Sequence, residues 1–391
     1  MNTLCMESGF ASMNKHGEDL CGDFFTTVSD DSGAATTFVL SDGMGSGVKA
    51  NILATLTARI LATMTANHLP IEESVTTIAQ TLPVCSVRKL AYSTFTLMQV
   101  TSDSHVYLAQ FDNPFAVLLR GGKSIEYPRS LSNIGEKEVY QSRFQLRSGD
   151  VFVLMTDGVT HAGLGNLIPD GWQREGVVEY LEEIYDPSLS AKNLADRVAT
   201  ACRDLYLEHI DDDVTVAVFK MRTRKVVNLL IGPPRDPADD EEFLKTFFQK
   251  EGMHIVCGGS TAQMVSRHLH RDLEVAGDYV DPDIPPIGRI RGVDLVTEGI
   301  VTMSRVLEMT GQYASSDSMP VHWDNKNDGA TRIARALLEH ATDINFFVGK
   351  AMNPSHQLPS LHIDFSLKMS LIEKLDVLLR GIGKRVHIDY C

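Results

Sequence analysis

Chemistry is most visible in four short acidic motifs: Cys21-Gly22-Asp23-Phe24, Ser41-Asp42-Gly43-Met44-Gly45-Ser46-Gly47, Thr156-Asp157-Gly158-Val159 and Asp212-Asp213-Val214-Thr215. Asp42 follows the apolar run FVLS, Asp157 follows VFVLMT, and Asp212 and Asp213 precede VTVAVF. If those strands lie side by side, their acidic ends converge on one rim of a sheet. Carboxylates crowded together repel one another and are costly without cations. Hard divalent cations such as Mg²⁺ or Mn²⁺ relieve that repulsion, because they take oxygen ligands and keep several waters. Two such ions about 3.5–4 Å apart can bind a bridging water, lower its pKa and clamp a phosphoryl group for in-line attack. Taken singly, each motif also has a plainer reading. Asp-Gly is a common turn, Asp23 alone is a solvated strand end, and Asp212-Asp213 alone is an exposed acidic turn.

The elements that must carry these motifs follow from periodicity. Residues 4–13, 24–29 and 36–41 are short β-rich runs separated by Gly and Asp clusters. Residues 46–67 turn helical, with Ala50, Leu53, Ala54, Thr57, Ile60, Leu61 and Met64 on one face, and a second amphipathic stretch covers 71–82. Strand patterns return in STFTLMQV, SHVYLAQF, FAVLLRGG and VFVLMTDG, with Gly121-Gly122 as a hairpin turn. Helices are expected near 175–185 and 190–207, before a closing strand in DDDVTVAVFKM. After residue 222 the texture changes. Strands KVVNLLI, HIVC, VDLVTE, INFFVG and RVHIDY alternate with helices near 239–251, 261–270, 299–311, 328–341 and 366–381. That alternation predicts an α/β domain with a mostly parallel sheet. The expected domains are therefore 1–222 and 226–391, with no Gly/Ser-rich linker between them.

Composition narrows the function. At a prior of roughly 150 residues per domain, 391 residues suggest two or three domains. The chain has 51 acidic and 36 basic residues, for a net charge of −15. A surface this acidic argues against nucleic acid as a partner. No apolar run approaches the ~18 residues of a membrane span, and the N-terminus lacks the basic and apolar regions of a signal peptide. The six cysteines are scattered without zinc spacing, which fits reduced thiols. The expectation is a cytoplasmic protein with no membrane partner.

The first ~220 residues resemble the SpoIIE-type branch of the metal-dependent protein phosphatases, the protein phosphatase 2C superfamily. The resemblance lies in G-D-F at 22–24, S-D-G-M-G-S-G at 41–47, Y-S-T-F at 92–95, R-S-G-D-V-F-V-L-M-T-D-G-V at 147–159 and D-D-V-T at 212–215. It implies a β-sandwich flanked by helices, two Mn²⁺ or Mg²⁺ ions at one end, and hydrolysis of phosphoserine or phosphothreonine in a protein. Carried over by position, Asp42 would bridge both ions and the Gly43 carbonyl would complete one site. Asp23 would support a metal, Asp157 and Asp212 would hold the other, and Asp213 would stand behind them or hold an additional ion. Glycines 43, 45 and 47 would let the backbone approach the metals. No histidine is an obvious general acid. His161 is the better candidate to protonate the leaving oxygen and His16 the other, with a plain surface or core histidine as the alternative for each. The resemblance also implies a phosphorylated, anti-anti-sigma-like protein substrate in bacterial signalling, and a helical block after the metal loop that acts as a switch. This chain departs from the family in its central hairpin, which reads Phe111-Asp112-Asn113-Pro114. Two other functions remain open: hydrolysis of a small phosphorylated metabolite, and a non-catalytic signalling scaffold.

The second half resembles no named fold. Its most informative stretch is His254-Ile255-Val256-Cys257-Gly258-Gly259-Ser260-Thr261. Strand, glycine pair, hydroxyls and helix start together suit an anion at a helix N-terminus. A tight turn with Ser260 as N-cap is the alternative. Val296-Thr297-Glu298-Gly299 and Phe347 to Pro354, including Lys350, would share that rim in a parallel sheet. Asp281-Pro282-Asp283-Ile284-Pro285-Pro286 should form a rigid extended loop over the same face. These residues suggest a sensor of a small anionic ligand.

Overall fold

The computed structural model describes residues 4–30, 34–81, 93–135, 137–275, 284–315, 327–351 and 363–391, and it divides into two units, Met1–Thr223 and Arg224–Cys391. Tyr92, Cys85, the Asp281-Pro282-Asp283 stretch and Met352-Asn353-Pro354 lie outside the described residues.

The first unit runs β1 (Leu4–Met13), β2 (Asp23–Ser29), β3 (Ala35–Gly43), α1 (Gly47–Ala66), α2 (Ile71–Thr81), β4 (Ser93–Thr101), β5 (His105–Phe111), β6 (Val117–Arg120) and β7 (Lys123–Ile125). It continues through β8 (Ser130–Ile134), β9 (Lys137–Gln145), β10 (Val151–Met155), α3 (Asp157–Thr160), α4 (Gln173–Glu183), α5 (Ala191–Leu205) and β11 (Val214–Thr223). Two antiparallel sheets result, ordered β1-β11-β10-β6-β7 and β2-β3-β4-β5-β9-β8. The two-residue period of a strand sorts its side chains between cores. In β10, Phe152 and Leu154 join Phe38 and Leu40 of β3 and Phe219 of β11 in one core. Val151, Val153 and Met155 instead pack with Leu181 of α4 and Leu194 and Val198 of α5. Val39 of β3 faces the other way, toward Leu61 of α1 and Val75 and Ile78 of α2. The unit is a β-sandwich with helices on both outer faces, the architecture the resemblance implied. Gly121 and Gly122 join β6 to β7 at φ +59° and +79°, the mirror-image turn that suits a tight hairpin.

Strands β8 and β9 were not among the expected ones. Their residues, SLSNI and KEVYQSRFQ, are largely polar, and β8 forms a sheet edge where only alternate side chains need be apolar.

The second unit runs β12 (Val226–Ile231), α6 (Asp240–Gln249), β13 (Met253–Cys257), α7 (Gly259–Leu269), β14 (Glu274–Val275), β15 (Gly288–Arg289), β16 (Leu295–Thr297) and α8 (Ile300–Ala314). It ends with α9 (Gly329–Arg335), β17 (Asp343–Val348), α10 (Ile363–Gly381) and β18 (Arg385–Tyr390). Its sheet has the order β14-β15-β16-β13-β12-β17-β18. The five strands from β16 to β18 are parallel, and β14 and β15 add an antiparallel edge. Leu229, Ile255 and Phe346 face α8, α9 and α10 on one side, while Leu230, Val256 and Phe347 face α6 and α7 on the other. Burial on both faces explains why these strands read as continuous apolar runs.

Candidate metal centre

Asp23 opens β2 and Asp42 sits at the end of β3, and the register sets them directly across from each other. Asp157 follows β10 as the first residue of α3, and Asp212 and Asp213 precede β11. The acidic ends therefore come from two sheets rather than from one rim of a single sheet, which corrects the simpler expectation. The reason is that β2 and β3 belong to one sheet of the sandwich and β10 and β11 to the other.

Polar contacts join the two pairs. The Thr156 hydroxyl donates to Asp23 Oδ2 at 2.8 Å and accepts from the Thr215 backbone N–H at 3.0 Å. The Lys15 backbone N–H donates to Asp213 Oδ1 at 3.0 Å. The charge of Asp157 acts on the Asp42 carboxyl. Glycines make this approach possible. A Cβ on Gly43 would lie 1.9 Å from the Ala50 carbonyl oxygen, on Gly158 2.1 Å from the Asp213 carbonyl oxygen, and on Gly22 2.7 Å from Asp213 Oδ2. Gly45 and Gly47 have φ of +102° and +64°, so the loop turns into α1 through backbone that favours glycine.

The electrostatics follow from burial. Asp23 and Asp213 are 4% and 3% exposed. Burial, and then the charge of Asp42, hold the Asp23 carboxyl well above the usual carboxylate range. Burial pushes Asp42 up to about 8, with Asp157, Asp212 and Asp213 adding to the shift. Asp212 is raised by burial and by Asp157. Two oxygens, Asp23 Oδ1 and Asp213 Oδ2, are buried without a hydrogen-bond partner. An all-oxygen donor set, inward oxygens lacking partners and a glycine-lined backing fit divalent cations.

His161 closes α3, half exposed, with Nδ1 3.9 Å from Asp157 Oδ2. His16 stands beside the segment that leads to Asp212, its backbone N–H donating to the Ile210 carbonyl at 2.8 Å. Its ring packs on His209, with centroids 4.2 Å apart. Sequence reasoning missed Glu18, which accepts a hydrogen bond from the Ser46 hydroxyl at 2.8 Å beside Gly47. Its only sequence signal is a position five residues before Asp23.

Residues 32–222 match the family described as stage II sporulation protein E (SpoIIE). These residues form a SpoIIE domain. Among solved structures, the phosphatase domain of the cell fate determinant SpoIIE from Bacillus subtilis, in a crystal form without domain swapping, is 20% identical. That pairing covers 56% of this chain and 94% of that one, at a TM-score of 0.44. A longer Bacillus subtilis SpoIIE structure, the PP2C phosphatase domain with a fragment of the regulatory domain, is 21% identical at a TM-score of 0.48. There the match covers 56% of this chain but only 63% of the other, under two thirds of its length. The catalytic domain of the serine/threonine phosphatase PstP, in complex with two manganese ions, is 18% identical at a TM-score of 0.40, covering 56% of this chain and all of that one. No curated protein matches the chain in sequence.

In the second unit, the strands before Gly258 and Lys350 are parallel, so both residues stand at one edge of the sheet. They are not adjacent. β12 lies between β13 and β17, which separates the two by about 9–10 Å of strand spacing. Ser260 is not the N-cap. α7 starts at Gly259 after Gly258 at φ +109°, a conformation open to glycine, and Ser260 falls inside the first turn. Thr261 is buried, and its hydroxyl accepts from the Gly232 N–H at 2.9 Å. Gly259 faces open space, and Lys350 is exposed with Nζ 5.8 Å from the Tyr390 ring centre.

Proposed function

We propose that the SpoIIE domain is a Mn²⁺- or Mg²⁺-dependent serine/threonine phosphoprotein phosphatase. One observation carries the reading: carboxylates from two sheets meet at one place, where Asp23 Oδ1 and Asp213 Oδ2 are buried without partners. Asp42, the Gly43 carbonyl, Asp157 and Asp212 would hold two ions, with Asp23 and Asp213 in support. Bound there, the ions supply a water of lowered pKa and neutralise phosphoryl oxygens. The chain's own part is to hold the cluster in place. Thr156 orients Asp23, the Lys15 N–H orients Asp213, and Gly43 lets α1 pack close behind Asp42.

The substrate class we infer is a phosphorylated protein in a bacterial signalling circuit, of the anti-anti-sigma-like kind, acting in the cytoplasm. The second unit we read as the sensor of a small anionic ligand. Support for that role is the exposed Gly259-Ser260 start of α7 at the carboxyl edge of a parallel sheet.

The test of catalysis is Mn²⁺-dependent hydrolysis of p-nitrophenyl phosphate by the full chain. Asp42→Asn should lower the rate at least about a hundredfold, a loss on the scale of ~3 kcal/mol of transition-state stabilisation. A wild-type protein inactive with both metals would leave the scaffold reading. Faster turnover of phosphorylated metabolites than of phosphoproteins would move the substrate to small molecules.

A further inference from the structure

The ligand set carried over from the resemblance has no place for His161. Yet the histidine stands on the same short helix as Asp157, at i and i+4, so one helical turn sets both side chains on one face. Ligand atoms of Asp157, His161 and Asp212 all lie within 4.8 Å of one another. Donors about 2.1 Å from one ion stand roughly 3 Å apart when neighbouring and about 4.2 Å apart when opposite. The 3.9 Å between His161 Nδ1 and Asp157 Oδ2 falls inside that span. The ring is 45% exposed, so it can adjust its orientation at little packing cost.

A second observation points to a cation in the same acidic cluster: Asp23 Oδ1 and Asp213 Oδ2 are buried without partners. Asp42 connects the two groups, as cross-strand neighbour of Asp23 and through the charges of Asp157 and Asp212 that act on it.

We propose that His161 Nδ1 is a ligand to the ion held by Asp157 and Asp212, and that this nitrogen biases the centre toward Mn²⁺ over Mg²⁺. The proposal rests on the metal-dependent reading of the centre. Carboxylate, carbonyl and water oxygens suit Mg²⁺ well, whereas imidazole favours first-row transition metals. A ring engaged through Nδ1 is a ligand in place of the proton donor that the sequence suggested.

The experiment uses the full chain, stripped of metal and titrated with Mn²⁺. Free Mn²⁺ is followed by electron paramagnetic resonance, Mg²⁺ affinity by competition, and the bound ion by electron spin-echo modulation. The wild-type spectrum should show a directly bonded ¹⁴N. His161→Gln should lose that signal and bind Mn²⁺ about tenfold more weakly, with Mg²⁺ affinity changed less than about threefold. His161→Glu, which supplies a charged carboxylate donor in place of the ring, should bind Mg²⁺ more tightly than wild type and show no nitrogen signal. Mn²⁺ bound to wild type without a bonded nitrogen overturns the proposal and leaves the metal centre standing. Failure of wild type to bind Mn²⁺ at all overturns the metal-dependent reading beneath it.

Discussion

Asp42 is the carboxylate on which the others converge. It faces Asp23 across the β2–β3 ladder and feels Asp157, Asp212 and Asp213. In the metal-free chain its pKa is raised from 3.8 to about 8. A carboxyl that holds its proton more tightly when folded favours the folded state at low pH. That advantage fades as pH rises from 3.8 toward about 8, and beyond it the ionised cluster is a net cost. The metal-free protein should therefore melt at a lower temperature at about pH 8.5 than at about pH 6, and Mn²⁺ should raise the melting temperature more at the higher pH. Thermal unfolding with a chelator and with Mn²⁺ at both values measures this. An equal metal-induced shift at the two would contradict it.

At the scale of elements, the site depends on how two sheets are joined. Thr156, at the end of β10, accepts from the N–H of Thr215 in β11 and donates to Asp23 in β2 of the other sheet. It is fully buried, so water does not replace a lost partner. Thr156→Val keeps the shape and removes the hydroxyl, leaving a buried N–H and a carboxylate oxygen short of partners. The expected cost is about 1–3 kcal/mol by chemical denaturation, together with weaker Mn²⁺ binding. Unchanged stability and unchanged metal affinity would show that the two sheets position Asp23 without this contact. Behind the S-D-G-M-G-S-G loop, α1 buries mostly small residues, among them Ala50, Ala54 and Ala58. That face allows the helix to pack against Gly43, where a methyl group would strike the Ala50 carbonyl.

For the whole molecule, each unit has its own core. Phe38, Phe152 and Phe219 belong to one in Met1–Thr223, and Leu229, Ile255 and Phe346 to one in Arg224–Cys391. A fragment of residues 1–223 should therefore unfold cooperatively and keep Mn²⁺-dependent hydrolysis of p-nitrophenyl phosphate. In a thermal-shift screen, any phosphorylated metabolite that stabilises the full chain should leave this fragment unmoved. A fragment that fails to fold, or that responds to the same compound, contradicts the assignment of separate roles. Among the described residues no helix is long and apolar enough to cross a membrane.

Much of this was legible in the chain because it is local. Nearly continuous apolar runs such as VFVLM and VTVAVF marked β10 and β11, buried on both faces. Asp-Gly pairs and the S-D-G-M-G-S-G loop marked where strands end, and alternating strands and helices marked the parallel sheet. Strand β8 escaped because an edge needs few apolar residues, and β9 beside it because only Val139 and Ser142 of its side chains are buried; the alternative of Ser260 as N-cap fails because a glycine backbone rather than a hydroxyl starts α7. Tertiary structure alone decided that Asp23 and Asp42 come from one sheet and Asp157, Asp212 and Asp213 from the other. It also placed Glu18 against the S-D-G-M-G-S-G loop and His161 beside Asp157 and Asp212. Residue type and spacing determine which groups can bind a cation. Only packing two sheets face to face determines which of them meet, because contacts between distant segments leave no period in the sequence.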